Sequence, residues 1–348
     1  MRTGPELVRA SQEFATEDVG KSWGLLGVTF AVFAALWAMV IGAPSLLPSV
    51  GPLGVSLIGW GGSLILGLVG VRFFIFYHDY HHGAIFRGSQ VAKVPMTLVG
   101  FYTLAVPTVW KETHDFHHRN NAKLTGSSIG SYPTVSLGMY KGIKPRDRQV
   151  LKVVRHPVTI LLGLLTTFFV GFCIASFRRD PKQHWAAPVS GVVWILTFLA
   201  LGYAIDWTRA VQLWMLPTAI HSAAGSYLFY AQHNFPGCEL RDRRSWEYSA
   251  AALKSSSMFD MNPLMHWFTG NIGYHHVHHL NHRIPFYRLP EAMAQMPELQ
   301  SPGRTSWSPR DIWACLHCSV WDPESGKLIS FAEADARLGE SAAAAPAG

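Results

Sequence analysis

Charge is what this chain of 348 residues is short of: Asp, Glu, Lys and Arg make up 15% of it, against 49% hydrophobic residues. That balance is too apolar for an ordinary soluble protein of this length. From Ser22 to Val71 there is no charged residue at all. The stretch has room for two membrane spans of about 20 residues each, joined by a turn at Pro44, Pro48, Gly51 and Pro52. Cysteine is scarce too. Cys173, Cys238, Cys315 and Cys318 are scattered, and one lies in an apolar run, which argues against a disulfide framework. Cys315-Leu-His-Cys318 has zinc-like spacing but no second pair. HExxH and GxGxxG are both missing, which removes the usual signs of a zinc hydrolase and of a built-in dinucleotide site. Residues 1–21 carry Glu6, Glu13, Glu17 and Asp18 and no apolar core. They read as a mixed-charge surface segment, and no cleavable signal peptide is expected.

What the chain has instead is histidine. Ten of its 17 histidines fall in three blocks of pattern HxxHH, namely His78 to His82, His114 to His118 and the run His275-His276-Val-His278-His279. On a helix, residues i, i+3 and i+4 share a face, so each block makes a bidentate or tridentate imidazole clamp. A single His pair at this spacing is more readily an interfacial accident; three blocks, each close to the end of an apolar segment, point to metal. Gln232-His233-Asn234 adds an imidazole at the end of another apolar run. His156, His184, His221, His266, His282 and His317 lack partners at ligand spacing and read as structural, with His266 and His282 as outer-shell candidates. Asp79 and Asp115 follow the first histidine of their blocks. Because adjacent residues on a helix diverge, each is expected to orient an imidazole from a different block.

A shared metal site requires all three blocks on one side of the bilayer, which limits the crossings. Two spans return His78 to the side of the N-terminus. The run Val94 to Trp110, with Pro95 and Pro107, must then dip in or lie at the interface. Pro157 to Phe177 and Trp185 to Ile205 are expected to go down and back through a turn at Arg178 to Pro181. Ala210 to Ala231 is then interfacial. The expected fold is all-α and integral to the membrane, with four transmembrane helices, interfacial or re-entrant helices and a cap carrying the metals, as a single domain over 1–348 with a disordered tail at 340–348. Trp307 to Phe331 reads as a small packed unit. Eleven Lys or Arg between His78 and His156 put the cap on the cytoplasmic side, and no recognition motif supports a nucleic-acid partner.

Eight or nine neutral imidazoles suit two metals of the iron type, and open iron positions where acyl chains leave a bilayer point to dioxygen activation. The pattern resembles the membrane fatty acid desaturase family, in particular its bacterial acyl-lipid branch. The matching residues are HDYHH at 78–82, HDFHH at 114–118, Gln232-His233-Asn234 and the run from His266 through Gly-Asn-Ile-Gly-Tyr to Leu280, followed by Arg283-Ile284-Pro285. The resemblance implies a di-iron site held by His78, His82, His114, His117, His118, His233, His275, His278 and His279. It leaves out His81 and His276, which fall at variable positions, and suggests Asn234 and Asn271 as amides that complete the shell. It further implies O2-dependent insertion of a cis double bond into an acyl lipid bound in a dry hydrocarbon tunnel, for which Tyr102, Trp110, Trp267, Phe268, Gly270 and Gly273 are candidate lining residues.

Dioxygen takes four electrons and the substrate gives two, so two must come from outside. No iron–sulfur cysteine pattern and no HPGG-type haem motif is present. An external carrier with its reductase is expected, a ferredoxin or similar protein, and Arg241, Arg243 and Arg244 would suit an acidic one. Hydroxylases, acetylenases and carotenoid ketolases share the scaffold and the first hydrogen abstraction. A metal transporter is the alternative of another class, but transporters place ligands in mid-span rather than at helix ends.

Overall fold

The computed structural model of the chain describes residues 1–46, 48–125 and 129–343. Two long helices, α1 (Val19–Leu46) and α2 (Gly51–His82), form the first hairpin, as the charge-free stretch predicts. Helix α2 stops at Gly83, whose positive φ of 66° lets its N–H bond back to the Asp79 and Tyr80 carbonyls. The first histidine block therefore occupies the last turn of a helix that is closed just beyond it. Next come α3 (Gln90–Tyr102), capped by the Ser89 hydroxyl, and α4 (Pro107–Asn120), which starts on proline, a residue suited to the first helical position. The two are bent by 85° at the break between them, so the dip expected around Pro107 is a sharp corner that brings the second block in.

Among the described residues, three helices are long and apolar enough to cross a membrane: Val19–Ser45, Gly51–His82 and Ala186–Ala204 (α5). The bent pair would make a fourth if counted as one span. The segment expected as the third crossing, Pro157 to Phe177, differs. It breaks into Pro157–Leu161, a wide π-helical stretch Leu164–Ala175 and Ser176–Arg179. Both ends lie beside histidine-bearing segments: Arg155 donates to Asn234 Oδ1 at 2.7 Å, and Arg179 pairs with Glu112, two residues before His114, at 2.8 Å. His184 Nε2 sits 2.9 Å from the same Glu112. The Arg178 to Pro181 turn is therefore on the histidine side, not opposite it.

Ala210 to Ala231, expected along the interface, stands against α2. Ser63 donates to the Gln212 carbonyl at 2.6 Å, while Gly67 and Gly70 abut Ile220 and His221. The two chains advance together, so residues 207–231 run parallel to the C-terminal half of α2. Pro217, near the start of α6 (Leu216–Ala231), has no N–H to donate, and a π-helical turn, Val211–Met215, precedes it.

The helical framework carries two small sheets that the all-α expectation lacked. Strands β2 (Met258–Asp260) and β3 (Arg304–Ser306) pair in parallel; β1 (Val135–Ser136), β4 (Val320–Asp322) and β5 (Lys327–Ile329) form the other sheet. The unit foreseen at Trp307 to Phe331 is thus not self-contained, since Val320 and Ile329 share a core with Tyr140 and Leu151. Residues 1–21, expected as a surface segment, pack onto the cap: Leu7 and Phe14 are buried, and the Arg2 guanidinium grips Glu298 through bonds of 2.9 and 3.0 Å. A final helix runs from Phe331 to Ala343. The rest of the tail expected at 340–348 lies outside the described residues.

Candidate metal centre

The nine histidines singled out in the sequence fall into two groups. His78, His82, His114, His118 and His278 bring ligand nitrogens within 4.8 Å of one another, and so do His117, His233, His275 and His279. The division follows helix geometry. Positions i and i+4 are about 40° apart around the axis, while i+3 falls on the other side of i, about 60° away. The i, i+4 pairs 78/82 and 114/118 therefore aim at one centre and the pair 275/279 at the other, while the i+3 residues His117 and His278 each cross to the opposite group. The second and third blocks thus act as divided clamps, not as the single clamps the spacing suggests, while the first sends both His78 and His82 to one group. The third block rides on a short helix, α7 (His275–Leu280). Its lead-in is held by the Phe259 N–H, which donates to the Gly273 carbonyl at 2.7 Å.

Outer partners fix several rings. His233 Nδ1 lies 3.0 Å from the Ser255 carbonyl, which only accepts, so the proton is on Nδ1 and the Nε2 lone pair faces the group. His117 Nδ1 meets the Ser131 hydroxyl at 2.7 Å. His78 Nδ1 meets Asp79 Oδ1 at 2.9 Å, and the other Asp79 oxygen accepts from the Phe286 N–H at 2.7 Å. Asp79 thus orients its own neighbour and not an imidazole of another block. Nδ1 is the ring nitrogen nearest the backbone, within reach of a short adjacent carboxylate. Asp115 holds no imidazole; it pairs with Lys111 at the surface.

Does this donor set fit metal ions? In the smaller group, Nε2 to Nε2 distances run in a closed ring: 3.1 Å from His117 to His233, 2.9 Å to His275, 3.1 Å to His279 and 3.3 Å back to His117. A neutral imidazole nitrogen carries either one proton or one lone pair, so four cannot satisfy each other around a ring. In the larger group His118 Nε2 lies 3.1 Å from the Nε2 atoms of both His114 and His278. Converging lone pairs at this spacing fit a shared cation at the centre of each group, and an all-imidazole set with no carboxylate fits transition metals. Burial and neighbouring imidazoles hold His275, His278 and His279 well below the ordinary imidazole pKa, and burial takes His233 down to about 4. These four are neutral and ligand-ready at ordinary pH.

The remaining candidates separate from the groups. His81 packs on Tyr77 and Tyr80, and His276 Nε2 lies 3.1 Å from the Leu299 carbonyl. The amides proposed to complete the shell are engaged elsewhere: Asn234 with Arg155 and the Tyr230 carbonyl, Asn271 with the Phe286 carbonyl. Of the candidate tunnel residues, Trp110 lies on the site, stacked on His114 with ring centres 4.4 Å apart. Tyr102 faces Trp214 and His221, Trp267 covers Arg72, Phe268 is core, and a side chain at Gly270 or Gly273 would strike Ile75 or the Phe259 carbonyl. His282 is closer than its spacing suggested, its ring 4.7 Å from that of His82. Arg155, Ser131 and Ser255 were missed, because nothing in the local sequence marks a residue whose partner is remote. The four cysteines are free and buried, and none joins a histidine group among the described residues.

Comparison with known proteins agrees with this centre. Residues 54–310 match the family model described as fatty acid desaturase. A fatty acid desaturase of Bacillus subtilis (strain 168) is 27% identical over 75% of this chain and 74% of its own length. The chloroplastic omega-6 fatty acid desaturase of Spinacia oleracea is 23% identical over 93% and 70%. An sn-1 acyl-lipid omega-3 desaturase (ferredoxin) of Nostoc sp. (strain 36) is 22% identical over 64% and 63%. With three-quarters of its length matched and its histidines gathered in two groups beside membrane helices, the chain belongs to the fatty acid desaturase family.

Proposed function

We propose that this protein introduces a cis double bond into the acyl chain of a membrane lipid, using O2 and two electrons from an external carrier. Two iron ions are held by His78, His82, His114, His118 and His278 and by His117, His233, His275 and His279. The observation that carries the reading is the resolution of nine imidazoles into two convergent sets. Iron bound there supplies dioxygen activation and hydrogen abstraction from an unactivated methylene.

The protein's own residues hold and shield. Neutral imidazoles present lone pairs, Asp79 and the Ser255 carbonyl fix ring orientation, and burial of seven of the nine histidines keeps water from the reacting face. Trp110, stacked on His114, walls the larger group. Orientation of the chain against the two metals is the main catalytic contribution.

Four crossings remain, but in different pairs: α1 with α2, then α5 with residues 207–231. Arg178, Arg179 and Lys182 then join the eleven basic residues on the histidine side, and Arg209 is the lone basic residue between Ala204 and Ala231. That asymmetry supports a cytoplasmic cap more strongly than the original layout. The ferredoxin in the name of the Nostoc relative, and its sn-1 acyl-lipid substrate, support an iron–sulfur donor and a glycerolipid-borne chain here.

Expression in a desaturase-free host, with gas chromatography of derivatised lipids, tests the chemistry. A new cis double bond is expected; a hydroxylated chain would reassign the reaction. Reaction of purified enzyme on NADPH alone would remove the carrier.

A further inference from the structure

Buried charges of opposite sign stand behind the two imidazole groups. Asp79, 1% exposed, contacts His78 of the five-imidazole group and, among the described residues, pairs with no lysine or arginine. Arg155, 2% exposed, stands behind the four-imidazole group. It donates to Asn234 Oδ1, next to His233, and to the Cys318 carbonyl, each at 2.7 Å. It also reaches the Pro133 carbonyl at 3.0 Å and Thr134 at 3.1 Å, just past Ser131, the partner of His117. All these acceptors are neutral.

Uncompensated buried charges act over longer distances than exposed ones, because less solvent screens them. A carboxylate on the far nitrogen of a ligand imidazole raises its basicity and favours the more oxidised metal. A fixed cation nearby does the reverse. Among the described residues Arg72 is the other buried cation with neutral acceptors, Thr29 and the Trp267 carbonyl. It lies seven residues before Asp79 on α2, roughly 10 Å along the axis, whereas the Asp79 carboxylate touches the His78 ring.

We propose that the two metals differ in reduction potential, the four-imidazole centre being the higher, so that it takes the first electron from the external donor and the five-imidazole centre the second. This rests on the metal-centre reading above. Each transfer oxidises the donor by one electron and reduces one ferric ion to ferrous. Access agrees with the order, since a small, partly open cavity lined by Ser131, Tyr132, Phe229, His233, Asn234 and Ser255 reaches His233. Asp79 is a positioning residue that acts through His78, and Arg155 acts by its buried charge from beside Asn234, the neighbour of His233.

The test is a stepwise reductive titration of the iron-loaded protein in detergent, read by Mössbauer spectroscopy. Two one-electron steps are expected. Asp79→Asn should move the lower step upward, Arg155→Met should move the upper step downward, and Arg155→Lys, which keeps the charge, should leave it near the wild-type value. Ser131→Ala, which changes no charge, should alter the spectrum of the ion reduced first and so identify it; this assignment stands even where Arg155→Met fails to fold. A single step shared by both ions would overturn the inference, as would a Ser131→Ala change confined to the ion reduced last. A chain that binds no iron would sink the proposed function itself.

Discussion

The five-imidazole group draws on all three blocks and the four-imidazole group on the second and third with His233 added, and the two are built differently. The larger takes i, i+4 pairs from the C-terminal turns of two helices, α2 and α4, and needs one residue more, His278. The smaller has one such pair, on a six-residue helix, and borrows His117 and the turn-borne His233. A pair on a helix is preorganised by the backbone. A ligand on a turn depends on outside support, which for His233 comes from the Ser255 carbonyl and, through its neighbour Asn234, from Arg155. Periodicity builds the first group almost unaided, whereas the second exists only where distant segments meet.

The largest effect should come from removing a ligand of either group. His278→Ala and His117→Ala are each expected to abolish desaturated product while the protein stays in the membrane. Lipid chromatography with immunoblotting of membranes checks this, and product from either variant would break the equivalence of the groups for turnover. Acid comes next. His276 and His233 have folded pKa values lowered to about 4 from 6.5, so the unfolded chain takes up protons first as pH falls. Their contribution to stability is intact above pH 6.5 and is lost between there and about pH 4, each by up to about 3 kcal/mol. A metal-free thermal midpoint that held level from pH 7 to pH 4.5 would contradict this.

Smaller effects separate the supports. Asp79→Asn should weaken iron binding at the five-imidazole group by about 10 to 100-fold, and Ser131→Ala should weaken only the four-imidazole group, by the lower end of that range. Iron content after graded chelation measures both; equal loss from both groups in either variant would mean that they are not separately supported. Asp115→Ala should change stability by no more than about 0.5 kcal/mol, since it severs a surface pair with Lys111. A large loss of iron there would restore the outer-shell role that its sequence position suggested.

The contrast between these acids marks what could be read in advance. Three blocks at helical spacing, plus an imidazole at the end of an apolar run, marked where a metal site would form, and the family resemblance, by leaving out His81 and His276, narrowed them to the nine residues that converge. The charge-free stretch was enough for the first hairpin. The division into five and four was not legible, because it depends on which side of each helix faces which centre. Nor was the route of residues 157–231: hydropathy counts apolar length, and the π-helical stretches and the Glu112 contacts that redirect the chain leave no hydropathy signal. Arg155 looked like one more basic residue of a loop, and only its five neutral acceptors show it to be a buried hub.

The sharing of the third block between the groups bears on how the protein is made. Neither group can close before its members at 275–279 have left the ribosome, when every helix long and apolar enough to cross a membrane among the described residues has already been synthesised. Between His82 and His278, translation at about 5–20 residues per second takes roughly 10 to 40 s. During that interval the early imidazoles wait at the membrane surface without their partners. Closure of the metal groups therefore follows synthesis of the membrane helices and does not guide their insertion, so the nascent helices must find their places on hydrophobicity and packing.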